Sequence, residues 1–188
     1  MLPPDKMPEA EVTLRLAIAL IEGGHVSNDV VVAIDGAQVK TGKKVHFPIV
    51  EFLNSLGWYC AGETDRWQCT YKNENHTKSV IVHSSSGEGD LVARTQNGLT
   101  IRVESKKGPL SRSKSSQEYP LIREAIGQLM TVEKAESTDI LAVAVPYSEK
   151  FSSLAVQWRE RPLIKQTGIH IITVDRNNDI RGLENVGI

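Results

Sequence analysis

The sequence contains little of what usually assigns a chain to a class. Only two of its 188 residues are cysteines, too few for a disulfide framework or a four-cysteine zinc site. The longest apolar stretch, residues 14–21, includes Arg15, whereas a membrane-spanning helix needs about 20 apolar residues. Lys and Arg number 22 against 23 Asp and Glu, a net charge of −1, so the whole molecule generates no strong field. Any site for a polyanion must therefore be local.

Length and composition are those of one globular domain, with 40% hydrophobic and 24% charged residues. The first residues, MLPPDKMPEAE, carry prolines and acids and lack the apolar core of a secretory signal. We therefore expect a cytoplasmic protein with no membrane span. Cys60 and Cys69 are then expected to be reduced, partly buried thiols.

Apolar periodicity predicts an α/β fold in the order helix, meander, helix, strand, helix, strand. The first helix has an apolar stripe at positions 14, 17, 18 and 21 and ends at the two glycines that follow. Further helices are predicted over residues 48–56, 119–134 and 151–165. Strands are predicted over residues 67–72, 78–83, 90–95, 99–105, 139–145 and 169–174. The first four of these strands are expected to form the meander.

The N-terminal residues 1–44 are expected to extend a core formed by residues 45–188. A β-branched run at 30–34 and a second segment at 38–47 predict a small hairpin in this extension. The extension would thus contain one helix and one hairpin.

The strand that begins at Leu99 carries the residues of greatest chemical interest. Its apolar side chains alternate with Thr100, Arg102, Glu104 and Lys106. Successive strand residues point to opposite faces, so Glu104 and Lys106 share the polar face. A carboxylate and an ammonium group are therefore expected side by side.

The loop between this strand and the preceding one decides whether Asp90 joins them. Paired residues of an antiparallel ladder have position numbers with a constant sum and share a face. A two-residue Asn-Gly turn gives a sum of 195 and places Asp90 and Glu104 on opposite faces. A three-residue loop with a left-handed Gly98 gives 194 and sets Asp90 opposite Glu104. We predict the three-residue loop.

Two carboxylates and a lysine in one place suit phosphodiester hydrolysis. Carboxylate oxygens bind Mg²⁺, which lowers the pKa of a bound water and offsets phosphate charge. Lys106 would act as a point charge on the attacking hydroxide or the phosphate oxygens. The alternative is a solvated polar strand face, on which an alternating Glu-x-Lys is common.

Several segments together resemble the PD-(D/E)XK nuclease superfamily. They are the Gly-Asp that opens a strand, the hairpin to the Glu-x-Lys strand, the helix YPLIREAIGQLM and the strands DILAVAVP and GIHIITV, over about residues 45–175. The resemblance implies a restriction-endonuclease-like mixed sheet flanked by helices. It implies Asp90 and Glu104 as ligands of Mg²⁺ or Mn²⁺ and Lys106 as the catalytic lysine. Gly89 departs from the motif, which often has proline there.

The resemblance also implies two further site residues. Gln128 is the candidate for a helix glutamine beside the site, although a solvent-facing glutamine is the alternative. Many members carry a glutamate from the first core helix, for which Glu51 is available. Glu51 lies about 150° from the apolar side of its predicted helix, which argues against it.

We expect a metal-dependent nuclease, with a DNA endonuclease favoured over an RNA enzyme on the resemblance alone. The alternative is a non-catalytic nucleic-acid-binding or protein-interaction module that keeps the fold. Lys107, Arg112 and Lys114 lie in a locally basic segment that could neutralise phosphates, or they belong to a solvated loop. A symmetric homodimer is a hypothesis, since small nucleases that cut both strands commonly act as dimers.

Overall fold

A mixed β-sheet occupies the centre of the computed structural model, which describes residues 2–62, 66–85, 87–111 and 117–185. The strands are β1 (Lys6–Met7), β2 (Val30–Ala33), β3 (Lys40–Thr41), β4 (Lys44–Val45), β5 (Tyr59–Cys60), β6 (Thr70–Lys72), β7 (Val80–His83), β8 (Leu91–Arg94), β9 (Thr100–Ser105), β10 (Gly108–Pro109), β11 (Ile140–Pro146), β12 (His170–Val174) and β13 (Ile180–Arg181). The helices are α1 (Glu9–Glu22), α2 (Gly36–Val39), α3 (Ile49–Ser55), α4 (Glu118–Leu129), α5 (Glu149–Arg159) and α6 (Pro162–Thr167). The predicted mixed α/β class is confirmed.

Nine strands of the described residues form the central sheet, in the order β13-β12-β11-β9-β8-β2-β7-β6-β5. β2, β8 and β9 are antiparallel neighbours, whereas β11 runs parallel to both β9 and β12, and β2 runs parallel to β7. A parallel connection needs a crossover, which α4 supplies between β9 and β11 and α5 with α6 between β11 and β12. β1 with β10 and β3 with β4 form two small ladders outside this sheet.

Helix α1 covers one face of the sheet. Its predicted stripe is buried, with Leu14, Ala17 and Ile18 fully inaccessible, and the helix packs on β2, β9 and β11. Each large apolar side chain removed from water in this way contributes about 1.5–3 kcal/mol. Gly23 follows the last helical residue, as the sequence predicts.

Helix α4 covers the opposite face along β9 and β11. Its predicted stripe is buried and consists of Ile122, Ala125, Ile126 and Leu129. The helix ends at Leu129 and does not continue to residue 134, because the amide and the hydroxyl of Thr131 both donate to the Gln128 carbonyl. That hydrogen bonding replaces the next helical turn.

The helix predicted over residues 151–165 is in fact two helices. α5 ends at Arg159, and Pro162 begins α6 after an extended Arg161. Proline disfavours the α conformation in the residue before it, so the chain breaks there. Among the described residues, no helix is both long and apolar enough to cross a membrane.

The position of β2 corrects two expectations. The run at 30–34 does not pair with residues 38–47, since β2 lies between β8 and β7 in the central sheet. Residues 38–47 instead form the end of α2 and the short β3–β4 ladder. The four-strand meander is also wrong, because β2 separates β7 from β8. A β-branched run with Val30 and Val32 fully buried suits a central strand better than a peripheral hairpin.

The prediction of two reduced thiols is also wrong. Cys60 and Cys69 form a disulfide, with Cα atoms 5.8 Å apart. The antiparallel β5–β6 ladder sets Cys60 opposite Tyr71 and so turns the chain back on itself. This pairing depends on a ladder that the cysteine spacing alone does not reveal.

Candidate active site

The predicted register of the β8–β9 hairpin is confirmed. Thr95 N–H donates to the Leu99 carbonyl over 2.8 Å, and Gly98 N–H donates to the Thr95 carbonyl over 3.0 Å. Gly98 is left-handed, with φ of +81°. Leu91 then lies opposite Val103, which is the register of the three-residue loop.

This register brings Asp90 to Glu104. Asp90 N–H donates to the Val103 carbonyl over 2.9 Å, so Asp90 and Leu91 both lie against Val103 and the regular ladder ends there. One carboxylate oxygen of Asp90 accepts the Ser105 N–H over 2.8 Å. The carboxylate of Asp90 is therefore fixed against the strand that carries Glu104.

Gly89 explains how the chain enters β8. Its φ of +104° lies in a region that side chains rarely adopt, and a Cβ there would lie 3.0 Å from the Val103 carbonyl oxygen. Proline fixes φ near −65°, so it does not fit this backbone. Glycine at position 89 is therefore a requirement of this backbone.

Lys106 is the buried centre of the cluster. Its residue is 3% exposed, and its Nζ donates to Glu104 Oε1 over 2.8 Å, so the predicted shared face is confirmed. Nζ also lies 3.8 Å from Glu124 Oε1 and 4.0 Å from Glu9 Oε2. The Lys106 N–H donates to the Ala144 carbonyl of β11, which holds the residue in the sheet beyond the end of β9.

Glu9 is a site residue that sequence reasoning missed. It lies in the first turn of α1, the helix that packs on β9, and Gln38 Nε2 donates to its Oε1 over 2.7 Å. Glu51, the sequence candidate, is exposed on α3, which packs on β5 at the far edge of the sheet. Once β2 belongs to the sheet, α1 is the first core helix. The acidic first turn of α1, the helix that precedes the buried strand β2, is the sequence feature that could have pointed to Glu9.

Helix α4 contributes Glu124, which the sequence analysis did not single out. Gln128 lies one turn further along the same side of the helix and is exposed. Within the described part of the chain, the Gln128 side chain makes no hydrogen bond. Its place beside Asp90, Glu104 and Lys106 therefore stays a prediction. Because residues four apart share one side of a helix, the position of Gln128 in the sequence could have pointed to Glu124.

The basic residues predicted to contact substrate are only partly described. Lys107 is exposed next to Lys106. Arg112 and Lys114 lie outside the described residues. Arg102, on the same strand face, donates to Asp139 over 2.7 Å and to Glu88 over 3.1 Å, so its charge is already compensated.

Burial and mutual repulsion perturb the ionisation of the cluster. Burial, with the charge of Glu104, raises the pKa of Asp90 from 3.8 to about 7. Burial also raises the pKa of Glu104, although its hydrogen bond with Lys106 acts in the opposite direction. Burial alone would lower the pKa of Lys106, but the bond to Glu104 and the charge of Glu9 outweigh it and raise that pKa. The single ammonium of Lys106 therefore does not balance the negative charge of the carboxylates in this cluster.

The oxygens of Asp90, Glu104 and Glu9 are the donors that could hold a hard cation. Among the described residues, no three His, Cys, Asp or Glu side chains form a ready metal-binding group. Lys106 provides the positive charge among these carboxylates. A bound cation would therefore share the carboxylates with the Lys106 ammonium.

A cavity of about 310 Å³ opens on the same sheet face beside Asp90. Its wall includes Val31 and Val92, which lie in register with Arg102 across β2, β8 and β9. Gly89 also lines it. α4 packs on β9 and β11, so the buried cluster lies between a helix-covered part of the face and an open part that could admit a substrate.

Comparison of the chain with protein-family models, with curated proteins and with solved structures gave no match.

Proposed function

We propose that this protein is a metal-dependent nuclease that hydrolyses phosphodiester bonds, with DNA as the favoured substrate and an endonucleolytic mode. The observation that carries the proposal is the convergence of Asp90, Glu104 and Lys106. Asp90 lies just beyond the last pair of the β8–β9 ladder, close enough to Glu104 for the two charges to interact, and Lys106 Nζ lies 2.8 Å from Glu104. Gly89, the neighbour of Asp90 in the chain, lines an open cavity on the same sheet face.

The chemistry of the donor set fits a divalent cation. Four carboxyl groups, on Asp90, Glu104, Glu9 and Glu124, surround the single ammonium of Lys106. Hard carboxylate oxygens suit Mg²⁺ or Mn²⁺ better than softer metals. Asp90 and Glu104 would hold the cation, and Glu9 offers a third oxygen donor from α1.

Each residue would then have a defined part in the reaction. A bound cation would supply a water of lowered pKa and offset the charge of the phosphate. Lys106 would place its ammonium against the attacking water or the phosphate oxygens, where negative charge develops. Ser105 N–H would keep Asp90 oriented through the bond that it already makes. Glu124 of α4 would add a further carboxylate 3.8 Å from the Lys106 ammonium.

The strand arrangement supports the restriction-endonuclease-like fold that the resemblance implies. The aspartate strand β8 lies directly beside the Glu-x-Lys strand β9, and a helical crossover leads to the parallel strand β11. Action as a homodimer and a cytoplasmic location stay predictions.

The test is cleavage of plasmid, linear duplex, branched DNA and RNA, with Mg²⁺ or Mn²⁺ present or chelated. We expect metal-dependent cutting of DNA by the wild type and none by Glu104→Gln or Lys106→Ala. Glu51→Gln is the matched control, because it removes an exposed carboxylate of α3. Cutting by Lys106→Ala at the wild-type rate would refute the assignment. Cation binding without cleavage of any substrate would favour the non-catalytic module.

A further inference from the structure

A short hairpin beside the site has an unusual concentration of positive charge. It consists of β3, β4 and the residues around them, 40–46, and is called the lysine hairpin below. Lys40, Lys43 and Lys44 lie in it, and every one of its residues is exposed. No Asp or Glu occurs from residue 36 to residue 50. In a chain with a net charge of −1, this is a local field of one sign.

The three lysines have no anionic partner within the described part of the chain. Six other cations are paired with carboxylates, namely Arg15, Arg102, Lys106, Lys134, Lys165 and Arg176. Others, such as Lys72 and Lys150, also lack an ion pair among the described residues, and the hairpin differs from them in bringing three such lysines within five residues. The lysine hairpin is therefore a cationic surface whose charge the fold leaves free for an external anion.

The lysine hairpin projects from the end of the sheet that carries the acidic cluster. Ala33, the last residue of β2, donates its N–H to the Asp90 carbonyl over 2.9 Å. α2 follows β2, and its Gln38 donates to Glu9 over 2.7 Å. Lys40 comes two residues later. The same short segment thus contacts the cluster at one end and carries free lysines at the other.

The hairpin is built to hold its lysines in place. Thr41 pairs with Lys44 across a two-residue loop, where Gly42 has φ of +58°, as a tight hairpin turn allows at its first position. His46 Nε2 lies 3.1 Å from Thr41 Oγ1, and Phe47 beyond it is buried against Phe52. Lysines on an anchored ladder lose less conformational freedom on binding than lysines in a loose loop.

We propose that the lysine hairpin binds the phosphate backbone of a nucleic acid on one side of the phosphodiester held at Asp90 and Glu104. This inference rests on the proposed function. The hairpin has no Phe, Tyr or Trp to stack on a base and no Asn or Gln to read a base edge, and the ring of its His46 is held at Thr41, so it would contact phosphates without sequence preference. Its role would be to bind and orient the strand rather than to select a sequence.

The test compares two variants that lose the same charge. One is Lys40→Gln/Lys43→Gln/Lys44→Gln. The control changes three lysines distant in sequence from the hairpin, Lys72, Lys78 and Lys150, to Gln; none of them makes an ion pair among the described residues. Binding of a fluorescent duplex is measured by anisotropy in chelator, over a series of salt concentrations. Circular dichroism checks that both variants fold.

Log K falls as log[salt] rises, and we expect this dependence to be shallower in the hairpin variant. The magnitude of the slope should decrease by about 2 to 3, since each lost phosphate contact removes about 0.9. The slope of the control variant should differ from the wild-type slope by less than that of the hairpin variant does. A Lys→Arg triple variant at the same three hairpin positions should also keep it, because charge rather than shape carries the contact.

The outcomes separate the two proposals. Equal slopes for the hairpin and control variants, with wild-type cleavage that still requires metal and Glu104, would overturn this inference and leave the nuclease standing. A wild type that neither binds nor cuts any nucleic acid would overturn both. Loss of binding to phosphatidylserine vesicles by the hairpin variant, with an unchanged DNA slope, would overturn the inference in favour of a membrane surface.

Discussion

Replacing Asp90 by Asn removes a negative charge from the cluster and keeps the side-chain oxygen that accepts the Ser105 N–H. In the metal-free protein, burial and the charge of Glu104 raise the pKa of Asp90 from 3.8 to about 7. Because the folded-state pKa is the higher one, the folded state binds more protons between these values. The stability that the proton contributes is complete below about pH 4 and is lost as the pH rises through about 7.

The size of the effect follows from the shift. About three pKa units correspond to about 4 kcal/mol, at 1.36 kcal/mol per unit. Asn imitates the neutral carboxyl but interacts less favourably with the Lys106 ammonium, so this figure is an upper bound. We expect Asp90→Asn to be more stable than the wild type by roughly 1–4 kcal/mol at pH 8–9. The two proteins should become equally stable below about pH 4.

Urea unfolding at pH 4, 6 and 8 in chelator measures the difference. Added Mg²⁺ or Mn²⁺ should stabilise the wild type at pH 8 and reverse the order of the two proteins, since a ligand of the folded state raises its stability. Glu51→Gln is the control and should change stability by less than about 0.5 kcal/mol. An Asp90→Asn variant that is no more stable than the wild type at pH 8 would refute the electrostatic argument, and equal stabilisation of both by the cation would refute the assignment of Asp90 as a ligand.

Three further changes test the cluster. Lys106→Met should destabilise the metal-free protein by about 3–5 kcal/mol in urea unfolding at neutral pH, because it leaves the buried carboxylate of Glu104 without its ammonium partner. Unchanged stability would contradict the importance of this ion pair. Glu9→Gln should weaken Mn²⁺ binding in calorimetry whereas Glu51→Gln should not, and equal affinities would remove Glu9 from the site. Gly89→Pro should lower the melting temperature and the metal-induced stabilisation together, because the backbone φ of +104° is closed to proline.

Features that depend on neighbouring residues could be predicted from the sequence. The stripes of α1 and α4 follow from helical spacing, and both faces are buried as expected. The shared face of Glu104 and Lys106 follows from strand alternation. Even the register of the hairpin could be derived, because loop length and a left-handed Gly98 determine which residues pair.

Features that depend on distant pairing could not be predicted. The apolar run of β2 identifies a strand but not its partners, and β2 pairs with β7 about fifty positions away and with β8 about sixty positions away. With β2 in a separate hairpin, nothing in the sequence places α1 beside β9, so the sequence offers Glu51, which its own helix geometry argues against, and does not point to Glu9. The Cys60–Cys69 bond was missed for the same reason, since the β5–β6 ladder creates it.

The insertion of β2 also explains why the cluster is buried at all. β2 places α1 over the end of β9, where Glu9 faces Lys106, and α4 approaches from the other side with Glu124. Two helices thus exclude water from carboxylates whose mutual repulsion then raises the pKa of Asp90. A fold that needed only stability would gain from neutral side chains at these positions. Under the proposed function the charges would have a physical use, because the free energy lost to repulsion in the metal-free cluster would be regained as affinity for a divalent cation.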